Sequence, residues 1–174
     1  MRSKTRNYLL IALVFILTHA ITAYQGAAKL NSGFFAGLTL DANIREWAQA
    51  AIPGDAGYYA AVAKNVADGR GLVIDSDIKS PNPTYTPFAF WAPGTPWVIG
   101  NILDLTNSQS MKTVFGFAIV AQIIAGIFVL LTVALFTKNP WALGITAFFT
   151  GFNPPLQEFY YSAYLCSSEV VIMV

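Results

Sequence analysis

The run TVFGFAIVAQIIAGIFVLLTVALF, Thr113 to Phe136, holds Gln122 as its single strongly polar side chain. It exceeds the roughly 20 predominantly apolar residues that a helix needs to cross a bilayer core. Toward the N-terminus, Tyr8 to Tyr24 is apolar apart from Thr18, His19 and Thr22 and forms a second candidate span. Hydrophobic residues make up 55% of the chain and charged residues 11%, well under the roughly 25% charged of a soluble domain. The pattern predicts an all-α, polytopic membrane protein with spans at 8–24 and 113–136 and a long segment, 25–112, between them.

Arg2, Lys4 and Arg6 precede the first span, whereas segment 25–112 balances its basic residues with acidic ones. Lys and Arg are retained on the cytoplasmic side, so the N-terminus is expected inside and residues 25–112 extracytoplasmic. A cleaved signal peptide cut after Ala23 is the alternative for the first span, and it leaves 25–112 on the same side. Downstream, Thr137-Lys138-Asn139-Pro140 is a turn short enough to force an antiparallel return. A third hydrophobic segment, 141–156, then runs outward, short for a span because Asn153-Pro154-Pro155 interrupts it. A fourth, 160–174, ends at Val174 without a flanking charge, as expected for the N-terminal portion of a longer polytopic protein.

Within 25–112, helices lying at the membrane interface are expected at about 41–51, 56–68 and 96–104. The first takes Asp41 as N-cap and places Ile44, Trp47, Ala48 and Ala51 on one face, with Trp47 suited to headgroup depth. The second puts Tyr59, Val62, Ala63 and Val66 on one stripe, follows Asp55 directly and stops at Gly69. Leu72 to Trp91 contains Pro81, Pro83 and Pro87 and reads as an ordered, aromatic-rich connection, because proline lacks the N–H that a helix needs. Pro93-Gly94-Thr95-Pro96 opens the third helix, which leads Trp97, Val98 and Ile102 back toward the membrane.

A net charge of +1 without clustered Lys and Arg excludes an electrostatic nucleic-acid binder. The chain has no Gly-rich phosphate loop followed by Lys, no nucleophile elbow and no paired-Cys motif. The single Cys166 lies in an apolar stretch and reads as a packing residue. His19 lacks a second ligand and reads as satisfied by a neighbouring helix. Asp75-Ser76-Asp77, in a Pro-rich connection, reads as local turn chemistry.

Asp55 carries the chemical interest. Its plain role is an N-cap, kept ionised by the first-turn N–H groups and the positive helix end. A catalytic role requires the carboxylate to reach the proton of an acceptor. Lys64 and Arg70 are candidates for binding phosphate, against a default of solvent-facing charge. If the turn at 137–140 is cytoplasmic, Glu158 emerges on the side that holds Asp55. Glu169, inside an apolar stretch, is a functional candidate because intramembrane charge is costly.

An N-terminal span followed by a loop with Asp55, the pair Tyr58-Tyr59, and an Ala-rich helix through Ala60 and Ala63 to Gly69 and Gly71 resembles the start of the GT-C superfamily of glycosyltransferases. The types it is most similar to are the dolichyl-phosphate-mannose protein mannosyltransferases and the aminoarabinose transferases. Trp91-Ala92-Pro93-Gly94-Thr95-Pro96 resembles the stretch that leads such loops back to the second span. Asn153-Pro154, Tyr160, Ser168 and Glu169 are similar to the outer end of the third span and the start of the fourth. The resemblance implies inverting transfer of a sugar from a polyprenyl-phosphate donor to a lipid or protein acceptor at the extracytoplasmic membrane face. Asp55 would serve as base or metal-site residue, making a divalent metal a candidate cofactor, with Tyr58, Tyr59, Lys64 and Arg70 on the substrate side and Glu158 or Glu169 as a second acid. Ala56 stands where many members carry an adjacent acid, a departure from the protein-mannosyltransferase pattern. The alternatives from other classes are a non-catalytic membrane protein whose loop binds a lipid or protein partner, and a transporter fragment.

Overall fold

Among the described residues two helices are long and apolar enough to cross a membrane, Thr5–Ala28 and Met111–Phe136. They belong to a mostly helical chain whose computed structural model describes residues 2–31, 39–51, 55–75, 82, 84–89 and 93–152. The elements are α1 (Arg2–Asn31), α2 (Ile44–Ala51), α3 (Asp55–Ala67), β1 (Val73–Asp75), β2 (Tyr85–Pro87), α4 (Gly94–Leu105), α5 (Met111–Phe136) and α6 (Pro140–Gly151). Helices α1, α5 and α6 form a bundle, and the elements from α2 to α4 form a head at the end of the bundle where α1 finishes and α5 begins.

The bundle follows from its caps and its small residues. Asn139 accepts the Trp141 N–H at 3.0 Å and Pro140 takes the first helical position, so the chain reverses directly from α5 into α6. Helix α6 packs on both α1 and α5. Its 12 residues reach about 18 Å, short of a hydrocarbon core of roughly 30 Å. The expected segment 141–156 is therefore helical as far as Gly151, and 153–156 lie outside the described residues.

Helix α6 meets α1 through hydroxyls rather than methyls. Thr22 Oγ1 donates to the Gly151 carbonyl, and Thr18 Oγ1, bonded to Val14 O at 2.9 Å, lies 3.4 Å from Ala147 O. The Gly151 carbonyl ends α6, where no intrahelical donor remains for it, and an apolar surrounding offers no water in its place, whereas Ala147 O is also met by Thr150 Oγ1 at 3.1 Å. Glycine lets the backbones come this close. A Cβ at Gly151 would stand 2.1 Å from Thr18 Oγ1, and one at Gly126 of α5 would stand 2.9 Å from the Phe15 ring. His19, expected to bond a neighbouring helix, instead shares its Nδ1 proton with Phe15 O of its own helix at 2.8 Å.

In the head, α3 lies between α2 and α4 and is buried on most of its circumference, with Tyr59 through Ala63 all in the core. Ile44, Trp47 and Ala48 of α2 form the face that the sequence predicts, but that face packs inside the head. Trp47 is 2% exposed, so it serves as a core residue and not as an anchor at headgroup depth. The N-cap of α2 also differs from expectation. Asn43 Oδ1 accepts the Arg45 N–H at 2.8 Å while Glu46 accepts the Asn43 N–H at 3.2 Å, a reciprocal capping box. Asp41 lies outside the helix and pairs with Lys112.

Helix α3 ends as predicted, at Gly69 with φ +75°. The Arg70 N–H reaches Asn65 O at 2.9 Å and the Gly69 N–H reaches Val66 O at 3.0 Å, the paired bonds of a Schellman stop. The connection beyond it contains structure that an all-α expectation omits: β1 and β2 pair antiparallel, Val73 with Pro87 and Asp75 with Tyr85. Pro87 is tolerated because a two-stranded ribbon consists of edges. Helix α4 begins at Gly94 and ends with Asn107 in the left-handed region at φ 46°. The start of α2 is stitched to the start of α5 by Ile44 N–H to Gln109 O at 2.8 Å and Met111 N–H to Ala42 O at 3.0 Å.

The closest approach in the head is between α3 and α4. A Cβ at Gly100 would lie 2.6 Å from Ala63 O and 2.5 Å from Val66 Cβ, and a backbone oxygen cannot rotate away. Gly100→Ala is expected to destabilise the head by about 1–3 kcal/mol through overpacking. Thermal unfolding of the full chain in detergent, followed by circular dichroism, measures this; an unchanged midpoint would contradict the close approach.

Candidate functional site

Helix α3 carries Asp55, Tyr58, Tyr59 and Lys64, and Arg70 follows its C-terminal stop. These residues do not converge. Asp55 is the first residue of the helix, and Lys64 lies roughly 14 Å further along the axis by helical rise. Tyr59 is 4% exposed and meets Phe88 edge-on with ring centroids 5.9 Å apart, a core contact and not a substrate-facing one. Tyr58 is half-buried. Glu158 and Glu169, the candidate second acids, lie outside the described residues, as do Ser76 and Asp77.

A polar cluster forms at the far end of α3 from Asp55. Asp68 stands between two cations: Lys64 pairs with one carboxylate oxygen and Arg70 Nη1 lies 3.0 Å from the other. Arg70 Nη1 also donates to Asn65 Oδ1 at 3.0 Å, and its guanidinium stacks over the Tyr85 ring at 5.1 Å from the centroid. Asn65 passes the connection on, donating from Nδ2 to Val73 O at 3.0 Å and to Asp75 Oδ1 at 2.7 Å. At 1% exposed, this amide has no water to fall back on. It uses both its donors and its acceptor to bind the C-terminal end of α3 to the ribbon.

Arg45 of α2 lines the same concavity beside Lys64, Asn65, Asp68, Arg70 and Asp75. The free space among them is about 10 Å³, room for a single water. Lys64 and Arg70 are thus both paired with the carboxylate of Asp68, which stands between them. Asp75 takes a part in the ribbon that turn chemistry alone does not describe. Among the described residues, no three His, Cys, Asp or Glu side chains gather in a metal-binding group. Compared with known proteins, the chain matches no family model, no curated protein and no solved structure.

This polar cluster shows in the sequence only as a weak signal. Asn65 falls on the buried arc of α3 near Val62 and Val66, and a polar residue there must find partners inside. Its partners, Val73, Asp75 and Arg70, are set by the ribbon pairing, which no periodicity announced. Asn65→Ala removes bonds to a backbone carbonyl, a carboxylate and a guanidinium, and is expected to cost about 1–3 kcal/mol. Lys64→Ala breaks one i,i+4 pair and is expected to cost no more than about 0.5 kcal/mol. Chemical denaturation of both variants checks the order of the two effects; equal losses would mean that Asn65 is not the connector.

Proposed function

We propose that the chain is part of a membrane glycosyltransferase that takes its sugar from a polyprenyl-phosphate donor and passes it to an acceptor at the extracytoplasmic face, with Asp55 as the acceptor-side base or a metal-site residue. The observation that carries this proposal is the placement of Asp55. It opens α3, the helix whose residues Tyr59 to Ala63 sit in the core of the head and which packs on α2 and α4. A base held on a rigid element keeps its geometry through turnover. The likeness of the Asp55, Tyr58-Tyr59 and Gly69 order to the GT-C loop supplies the reaction type. Lys64 and Arg70 pair with Asp68 and Tyr59 is buried, which weighs against direct roles for them in holding donor phosphate or sugar. Within this proposal the acid at 55 is the residue on which activity depends.

Asp55→Asn keeps the size and the hydrogen-bonding shape of the side chain and removes its basicity. In membranes supplied with polyprenyl-phosphate sugars, the variant is expected to lose about 10²–10⁴-fold in turnover, the range for loss of a general base, while its thermal midpoint stays close to the parent's. Unchanged transfer by a folded Asp55→Asn protein would overturn the assignment and leave an N-cap.

A further inference from the structure

At the end of the bundle opposite the head, α1 and α6 line an apolar groove of about 240 Å³. Leu10, Ile11 and Val14 form one wall, Trp141 and Gly144 the other, and Asn7 stands at the mouth with Pro140. We infer that this groove holds one acyl chain of an anionic phospholipid whose headgroup is met by Arg6 and Lys138.

Three observations point to that occupant. The lining is almost wholly hydrocarbon, and the volume lies below the usual range for drug-sized ligands, which suits a single chain better than a ring system. Charge is distributed with one sign at this end. Arg6 adjoins Asn7, Lys138 lies in the turn before Pro140, and both are exposed. Among the described residues no acid occurs in α1, α5, α6 or the turn between the last two, because every described carboxylate belongs to the segment from Asp41 to Asp104. Basic pockets between membrane helices are recognised by anionic headgroups, and zwitterionic lipids lack the complementary net charge. Trp141, 79% exposed, places an aromatic ring beside the groove where an indole suits the boundary between chain and headgroup.

Gly144 makes the inference testable without disturbing the packing. A Cβ added there meets no atom within 4 Å, so its free face opens into the groove and not onto a neighbouring helix. Gly144→Leu fills the groove from within. The full chain is reconstituted in nanodiscs holding equal amounts of phosphatidylglycerol and phosphatidylcholine, then released for native mass spectrometry. The parent is expected to retain one phosphatidylglycerol in preference to phosphatidylcholine by about thirtyfold, the scale set by two basic side chains at a membrane surface. Gly144→Leu is expected to lose that retained lipid, and Arg6→Gln with Lys138→Gln to keep a lipid while losing the preference.

Equal retention of both lipids by the parent would overturn the inference, as would undiminished retention by Gly144→Leu. So would crosslinking from cysteine at 144, in a Cys166→Ser background, to residues 153–174 or to a second copy of the chain, since either would mean that protein fills the groove. A thermal midpoint for Gly144→Leu equal to the parent's confirms that lost lipid reflects a filled groove and not a misfolded bundle. None of these outcomes depends on Asp55 or on the proposed transferase activity.

Discussion

The junction at which the first turns of α2 and α5 exchange backbone hydrogen bonds fixes everything above the bundle. Ile44 N–H reaches Gln109 O, Met111 N–H reaches Ala42 O, and Ser110 Oγ donates to Leu40 O while capping α5 through the Lys112 N–H. These bonds join segments that are far apart in sequence, and they use the donors that a helix start cannot satisfy within itself. With α2 anchored to the top of α5, α3 is pressed between α2 and α4, and Met111 and Val114 of α5 close the same core from below. The head is thus continuous with a membrane-length helix.

The bundle obeys a different rule. Its exposed surface is hydrocarbon, with Leu9, Ile16, Val120, Phe128, Leu131 and Phe149 facing outward, so burial of apolar surface cannot distinguish one helix pairing from another when the surroundings are lipid. Selection falls instead to groups that lipid cannot satisfy. The terminal Gly151 carbonyl of α6 takes the hydroxyl of Thr22, Thr18 approaches Ala147 O, and Gly126 and Gly151 provide the room. Small residues and hydroxyls at a helix contact are the usual means of association in a membrane, and here they also explain why a helix as short as α6 can end inside the bundle.

Much of the architecture was legible in the sequence because the signals were long or sharply localised. The span at 113–136, the turn at 137–140, the stop at Gly69 and the apolar face of α2 all correspond to the structure, since each rests on periodicity or on a residue with a restricted backbone. The departures have two sources. Trp47 reads as an interfacial residue because an amphipathic helix in a membrane protein suggests an interface, while Tyr59, Lys64 and Arg70 take substrate-side roles only from the family resemblance. The head instead builds its own core, which encloses the first two and ties the second two to Asp68. The ribbon at 73–75 and 85–87 was invisible because three-residue strands with a proline carry no alternation to detect. Of the candidate site, Asp55 stands at the start of α3, and its possible acid partners fall outside the described residues.

The proposed function turns on a single spatial expectation, that the head and the 137–139 turn lie on opposite sides of a membrane with the head outside. Single cysteines at Asp104 and at Lys138, both exposed positions, in a Cys166→Ser background and probed in intact cells with a membrane-impermeant maleimide, test it most directly. Labelling at 104 without permeabilisation, and at 138 only after it, is the predicted result. Labelling of both positions from the same side, or of 138 alone in intact cells, would contradict the account.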